Sequence, residues 1–346
     1  MRRAILLRAM FLLLIFALVL TSNYASSMAF AASSSKGYVI GFSNSYNGNT
    51  YRQAMERYAR EAADVLIASG ELRELIFAES NQNNSVQVQQ IQNFIVQGVD
   101  AIIIDPGSAT ALTGAIQEAS DAGIPCIIVN DGPVTSKAEL CYQINFDTIA
   151  QMGELTEYVC KAIGGKGNII ELRGTAGSEF DHIAHEGVLK ALAKYPDIKV
   201  LAEIYTDWTG SKAQAELASV LPTLDKIDAI VTQGGDSYAA VQAFHSARLA
   251  LPIIGGDNRG YFLKWWANEA PEGYDTISVS SNPWDGASAV YVTVDILNGM
   301  DVPKEMTHPF GIVTKDEIKD FANVPDEVIA CPTYDREWVR ANLYKK

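Results

Sequence analysis

Between residues 44 and 52 the chain reads "NSYNGNTYR", a dense run of amides, hydroxyls, two aromatic rings and an arginine directly after the apolar stretch Tyr38 to Phe42. The same kind of chemistry recurs wherever an apolar run stops. Ser43-Asn44, Asp105-Pro106, Asn130-Asp131, Arg173-Gly174, Asp207-Trp208, Gln233 to Asp236, Asp257-Asn258 and Ser281-Asn282 all sit at such ends. Carboxylates and amides accept or donate to hydroxyl pairs, an arginine fork spans two adjacent oxygens, and an aromatic face covers the C–H side of a ring. Together these groups suit a neutral, polyhydroxylated small molecule held in a cleft.

Catalytic and metal chemistry are less well served. The sequence has no GxSxG elbow, GxGxxG turn, P-loop or catalytic Cys-His signature, and Gly164-Gly165-Lys166-Gly167 lacks phosphate-cradling spacing. His182 and His185 stand three apart, close enough to share a helix face, but the segment departs from HExxH and HxxEH and has no cysteine beside it. No metal, cofactor or catalytic residue is expected. Trp265-Trp266 and Trp284 read as packing residues, as do Phe77 and Phe94.

The elements that must position these groups alternate between apolar runs and amphipathic stretches. Tyr38 to Phe42, Leu75 to Ala78, Ala101 to Ile104, Cys126 to Val129, Cys141 to Ile144, Asn168 to Leu172, Val200 to Tyr205, Ala229 to Val231 and Pro252 to Ile254 read as strands, most of them followed by helical patterns. Continuous apolar strands separated by helices indicate parallel sheets covered on both faces. Asp100-Ala101-Ile102-Ile103 recurs as Asp228-Ala229-Ile230-Val231, and an apolar-Pro pair follows each copy, Ile124-Pro125 and Leu251-Pro252. Two similar Rossmann-like α/β lobes built on one plan explain the repetition. Ligands of open parallel sheets bind beyond the carboxyl ends of the strands, so facing lobes would converge their polar corners on one cleft.

At these residues the chain resembles the periplasmic sugar-binding proteins of ABC importers, of the ribose and galactose class. The resemblance runs through "QGVDAIIIDPGSATALTGAIQEASDAGIPCIIVND", "GNIIELRGTAGSEF" and "LPIIGGDNRG". The opening "GFSNSYNGNTYRQAM" is most similar to the galactofuranose-binding branch, which carries an aromatic-Arg pair ten residues into this motif, here Tyr51-Arg52. The resemblance implies a type I periplasmic binding protein fold with a three-segment hinge. From the first lobe it implies ligand contacts by Asn47, Tyr51 and Arg52, with Asn130 or Asp131 after the fourth strand. From the second it implies Trp208 as a stacking ring, Asp257 as a hydroxyl acceptor and Ser281 or Asn282 near the crossover. His182 stands where ribose binders carry an arginine, and Asp236 ends the Gly234-Gly235-Asp236 run that replaces their amide-aspartate pair. Asn130-Asp131 likewise replaces an aspartate-arginine pair, which points away from ribose itself. Arg52 and Asp257 are expected to serve the ligand with little bearing on fold stability.

The envelope of the chain agrees. Residues 1–32 hold Arg2, Arg3 and Arg8, no acid, and the twelve-residue apolar run Ala9 to Leu20, which reads as a secretory signal peptide cut near Ala31 or Ala32. That run is shorter than the roughly 20 apolar residues a membrane-spanning helix requires. Taking those three arginines from the 27 basic residues leaves 24 against 41 acids, a mature charge of −17 that repels phosphate backbones and excludes nucleic acid. Cys126, Cys141, Cys160 and Cys331 form no CxxC pair; one disulfide fits an oxidising compartment, and the sequence leaves its pairing open. The expected lobes are 33–145 with 283–311, and 146–282 with 312–346, crossing near Asn145 to Asp147, Ser281 to Pro283 and Phe310 to Thr314. The function these features imply is a monomeric periplasmic receptor and not an enzyme. It captures a monosaccharide, a hexose (its furanose form included) or a pentose, by hinge closure for an ABC permease. A receptor for a chemotaxis or sensor-kinase system, and a secreted carbohydrate-active enzyme, are the alternatives.

Overall fold

The computed structural model describes residues 37–129 and 133–345. The expected signal peptide, and with it Asn130 and Asp131, lies outside the described residues. Strands β1 (Tyr38–Asn44), β2 (Leu72–Glu79), β3 (Ala101–Asp105), β4 (Cys126–Val129) and β5 (Cys141–Phe146) form one sheet. A second contains β6 (Lys166–Arg173), β7 (Asp197–Tyr205), β8 (Ala229–Thr232) and β9 (Ile253–Ile254). Three later strands, β10 (Ser278–Ser280), β11 (Glu305–His308) and β12 (Gly311–Val313), complete the described set. The first sheet runs β11-β5-β4-β3-β1-β2 and the second β7-β6-β8-β9, and every pairing within them is parallel. Helices cover both faces, which is why these strands are apolar at successive positions instead of alternate ones. Four buried apolar clusters follow, two on each sheet.

The internal repeat has a structural counterpart. Asp100 accepts a hydrogen bond from Val39 N at 2.7 Å, and Asp228 accepts one from Asn168 N at 2.9 Å. In each sheet the repeated aspartate therefore ties the start of the neighbouring strand, β1 or β6, to the strand that follows the aspartate.

Up to β12 the chain passes between the sheets three times. It leaves the first at Phe146 for helix Thr148–Ala162, which packs on the helix Glu179–Leu192. It returns after β10 into helix Asp285–Leu297, whose Val290, Val292 and Val294 enter the first sheet's core, and crosses again between β11 and β12, the latter antiparallel to β10. Beside these passages lies His308, fully buried, with Phe146, Trp284, Tyr334 and Trp338 around it and its Nε2 3.1 Å from Ser288 Oγ. Trp265, Trp266 and Trp284 are buried, as their sequence context suggested. The last helix, Arg336–Asn342, places Val339 in the core of the first sheet, although the tail had been expected with the second lobe.

Burial lowers the His308 pKa from 6.5 to about 4, against a smaller opposing contribution from its hydrogen bond to Pro309 O. A folded pKa below the unfolded one means the unfolded chain takes up the proton first, so this group's contribution to stability is intact above pH 6.5 and lost as pH falls to about 4. The full loss is about 3 kcal/mol. Urea unfolding of wild type and His308→Gln at pH 7 and pH 4.5 should show a steeper acid loss in the wild type; parallel losses would contradict the assignment.

Candidate functional site

A cavity of about 590 Å³ opens where the carboxyl ends of the two sheets face each other. On the first-sheet side it is lined by Ser45, Tyr46, Asn49, Tyr51 and Arg52 with the Pro106 to Ala109 turn, and on the other by Phe180, Asp207, Trp208, Gln233 to Gly235, Asp257 and Arg259. Gln151, Ser281 and Ile329 close it between.

Arg52 is held by the geometry of parallel strands. Asn49 caps helix Thr50–Ser69, accepting Arg52 N at 2.9 Å, and so sets the arginine in the first turn. Register pairs Asn44 at the end of β1 with Asp105 at the end of β3. Between these two ends the guanidinium ion-pairs with Asp105 and donates from Nη1 to Asn44 Oδ1 at 2.9 Å. Arg52 is 5% exposed and Asp105 0%. Tyr51 lines the cavity with its hydroxyl 3.1 Å from Asp285 Oδ2, and burial raises its pKa well above the usual tyrosine value.

Asp257 follows β9, and both of its oxygens are oriented by main chain. Oδ1 accepts Arg259 N at 3.1 Å, and Oδ2 accepts Gly235 N. Gly235 has φ +84°, and a Cβ there would lie 2.3 Å from Trp208 O, so only glycine can bring that N–H to the carboxylate. Each oxygen keeps a lone pair for a hydroxyl. The Arg259 guanidinium, missed at the sequence level, donates to Gly235 O at 3.2 Å and also reaches the cavity. Its signal was its place two residues beyond Asp257, the spacing that returns a side chain to the same edge.

Trp208 stands in left-handed backbone, φ +52°, as does Asp207 at +53°. Its indole lies against Gly174, where a Cβ would come within 2.0 Å of the ring, and meets Phe180 edge-on at 5.8 Å. The buried Nε1 has no hydrogen-bond partner among the described residues. Two consecutive non-glycine residues at positive φ are costly, and such strain gathers at ligand clamps.

Tyr51, Arg52, Trp208, Asp257 and Ser281 thus meet in one cavity, and four other expected residues do not line it. Asn47 is not in the lining: its main-chain N donates to Glu79 Oε1 at 3.2 Å, and its side-chain Oδ1 is buried with no hydrogen-bond partner among the described residues. Asn282 is buried in a turn, accepting Trp284 N and donating to Pro332 O. Asp236 lies beneath the cavity, bound to Thr206 Oγ1 at 2.6 Å; burial and then the charge of Asp257 hold its carboxyl well above the usual range against that hydrogen bond. His182 is exposed, because Ser178 starts its helix and Asp181 turns inward to Arg173, which rotates the next residue outward; Glu179 and Phe180 face the cavity instead. Gln151, whose Oε1 accepts from Ser281 Oγ at 3.1 Å, was also missed.

His182 and His185 do not share a site either. His185 Nδ1 lies 2.9 Å from buried Glu171, and with Glu203 these residues bring three ligand atoms within 4.8 Å of one another. The Arg173 guanidinium, 2.8 Å from Glu203 Oε2, already supplies positive charge there.

Two parallel sheets with a polar cavity between their carboxyl ends define a two-lobed receptor for a small molecule. The chain belongs to the periplasmic binding protein family: residues 40–301 match the periplasmic binding protein domain, and the fold is the type I form. The xylitol-binding protein of Mycolicibacterium smegmatis is 30% identical over 249 residues, 71% of this chain and 70% of its own length. The galactofuranose-binding protein of Escherichia coli is 29% identical over 198 residues, covering 57% and 59%. The crystal structure of an ABC transporter solute-binding protein from Thermobispora bispora superposes with a TM-score of 0.81 at 31% identity, covering 88% of this chain and 94% of the other.

The burial of Arg52 with Asp105 corrects the expectation that Arg52 matters little to stability. Arg52→Ala takes the cation from beside a buried carboxylate and should cost about 3 kcal/mol or more. Adding Asp105→Asn should restore most of the loss in a urea titration; an Arg52→Ala midpoint equal to wild type would refute the coupling.

Proposed function

We propose that the protein is an exported sugar receptor that captures a monosaccharide between two lobes and presents it to an ABC permease. The observation that carries this reading is the convergence of Arg52, held by the first sheet, with Asp257 and Trp208, held by the second, in one cavity. Arg52 is ion-paired with Asp105, Asp257 is held by main-chain N–H groups, and the Arg259 guanidinium donates to Gly235 O, an array of oriented donors and acceptors that suits a neutral ligand rich in hydroxyls. Relatives named for xylitol and galactofuranose support the same class. We assign the first sheet and its helices to one lobe and the second to the other, with helix Arg336–Asn342 on the first. A ligand touching both lobes binds the closed arrangement more tightly and shifts the population toward it.

A thermal-shift screen of the mature protein against pentoses, hexoses, polyols including xylitol, and deoxysugars tests the reading. At least one should raise the melting temperature by about 5 °C at a hundredfold excess over Kd. The same sugar should change Trp208 fluorescence, and Asp257→Ala should bind it more than tenfold less tightly. Silence across the panel would overturn the sugar assignment, and turnover of a bound sugar would make the protein an enzyme.

A further inference from the structure

The segment after residue 324 makes a fourth passage between the lobes, and it borders the ligand cavity before it crosses. Its first part is fastened to the second lobe: Val328 O accepts Gly260 N at 2.9 Å, Asp326 O accepts Tyr261 N at 3.1 Å, and Ala330 N donates to Asn258 O at 2.7 Å. Lys264 Nζ adds an ion pair with Asp326 at 2.6 Å. This pairing runs directly beside Asp257 and turns Ile329, 4% exposed, into the cavity wall.

The segment then follows the hinge, where Pro332 O accepts Asn282 Nδ2 at 2.8 Å, and ends on the first lobe. There Asp295, fully buried on helix Asp285–Leu297, receives Arg336 Nη2 at 2.7 Å, Arg340 Nη2 at 2.8 Å and the Tyr344 hydroxyl at 2.8 Å. Val339 and Leu343 are buried in the same core, and Trp338 stacks on Tyr334 at 3.6 Å between ring centres. Only residues 331–335 join the two anchors, and an extended chain spans at most about 3.5 Å per residue. Swinging the lobes apart must take up that slack and then strain one anchor.

We propose that residues 325–345 are a working part of the ligand site: they provide Ile329 as its apolar wall and, fastened to both lobes, limit how far the cleft opens. The role of Ile329 rests on the sugar-receptor reading; the limit on opening rests on the anchors alone. Because a ligand closes a cleft that is already held near closure, less of its binding free energy goes into moving the lobes.

Inserting Gly-Gly-Ser between the exposed Pro332 and Thr333 lengthens the span and leaves both anchors intact. Small-angle scattering of the ligand-free full mature chain should then show a radius of gyration about 5% above the roughly 20 Å of wild type, with an unchanged melting temperature. Trp338→Ala, which loosens the first-lobe anchor and keeps the Asp295 ion pairs, is measured in the same way should the insertion fail to fold. An unchanged radius in the folded variant overturns the proposal. If the radius grows while neither protein binds any sugar of the panel, the sugar reading falls and the limit on opening stands. If sugar binding persists, Ile329→Ser should weaken D-fucose relative to D-galactose at least threefold, and an unchanged ratio removes Ile329 from the site.

Discussion

The parallel register that sets Asn44 opposite Asp105 is the constraint on which the first half of the site depends. Parallel strands bring all their carboxyl ends to one edge, so a polar residue that closes one strand necessarily neighbours the polar residue that closes the next. Asp105 alone would be a buried carboxylate with a large desolvation cost. With the Arg52 guanidinium beside it and Asn44 accepting from the same nitrogen, the cost is offset and the arginine is immobilised at the cavity wall. A cavity-lining guanidinium and a buried ion pair are here one structure, so they cannot be varied independently.

The opposite wall reaches the same end with backbone. Asp257 has no side-chain cation on its oxygens; two main-chain N–H groups orient it, and one of these depends on Gly235 being free of a Cβ. Trp208 is placed by main chain as well, through two left-handed residues and the bare surface of Gly174. These devices hold side chains without long flexible arms, which keeps the entropic cost of ordering them out of the binding step.

Residues standing immediately at strand ends could be identified from the sequence because an apolar run marks its own end, and the side chains beyond it have few other places to go. Trp208, Asp257 and Ser281 are of this kind, whereas Tyr51 and Arg52, in the first turn of the helix after β1, were legible through the family resemblance. Asn47, Asn282 and His182 show the limit. Their types suit a sugar, but whether each faces inward depends on a cap or turn one or two residues away, and Ser178 with Asp181 decides it for His182. Gln151 and Ile329 were illegible for another reason, since each enters the cavity through long-range packing that no local pattern encodes. The docking of helix Arg336–Asn342 on the first lobe is similar. Its apolar face was readable, whereas the partner, Asp295, lies about 40 positions earlier.

Asp236 completes the electrostatic logic of the second wall. Two carboxylates lie close there, and ionising both would put adjacent negative charges under a cavity whose nearest guanidinium, Arg259, is engaged with Gly235 O. Burial, and then the charge of Asp257, raises the Asp236 pKa well above the usual carboxylate range; Asp236 is bound to Thr206 beneath the cavity, while Asp257 lies among backbone donors. The Arg259 guanidinium reaches the same wall of the cavity. A sugar or polyol can donate to Asp257 and accept from Arg259 or Arg52 without bringing a further charge to this wall. The character of this wall therefore depends as much on Asp236, which does not line the cavity, as on the residues that do.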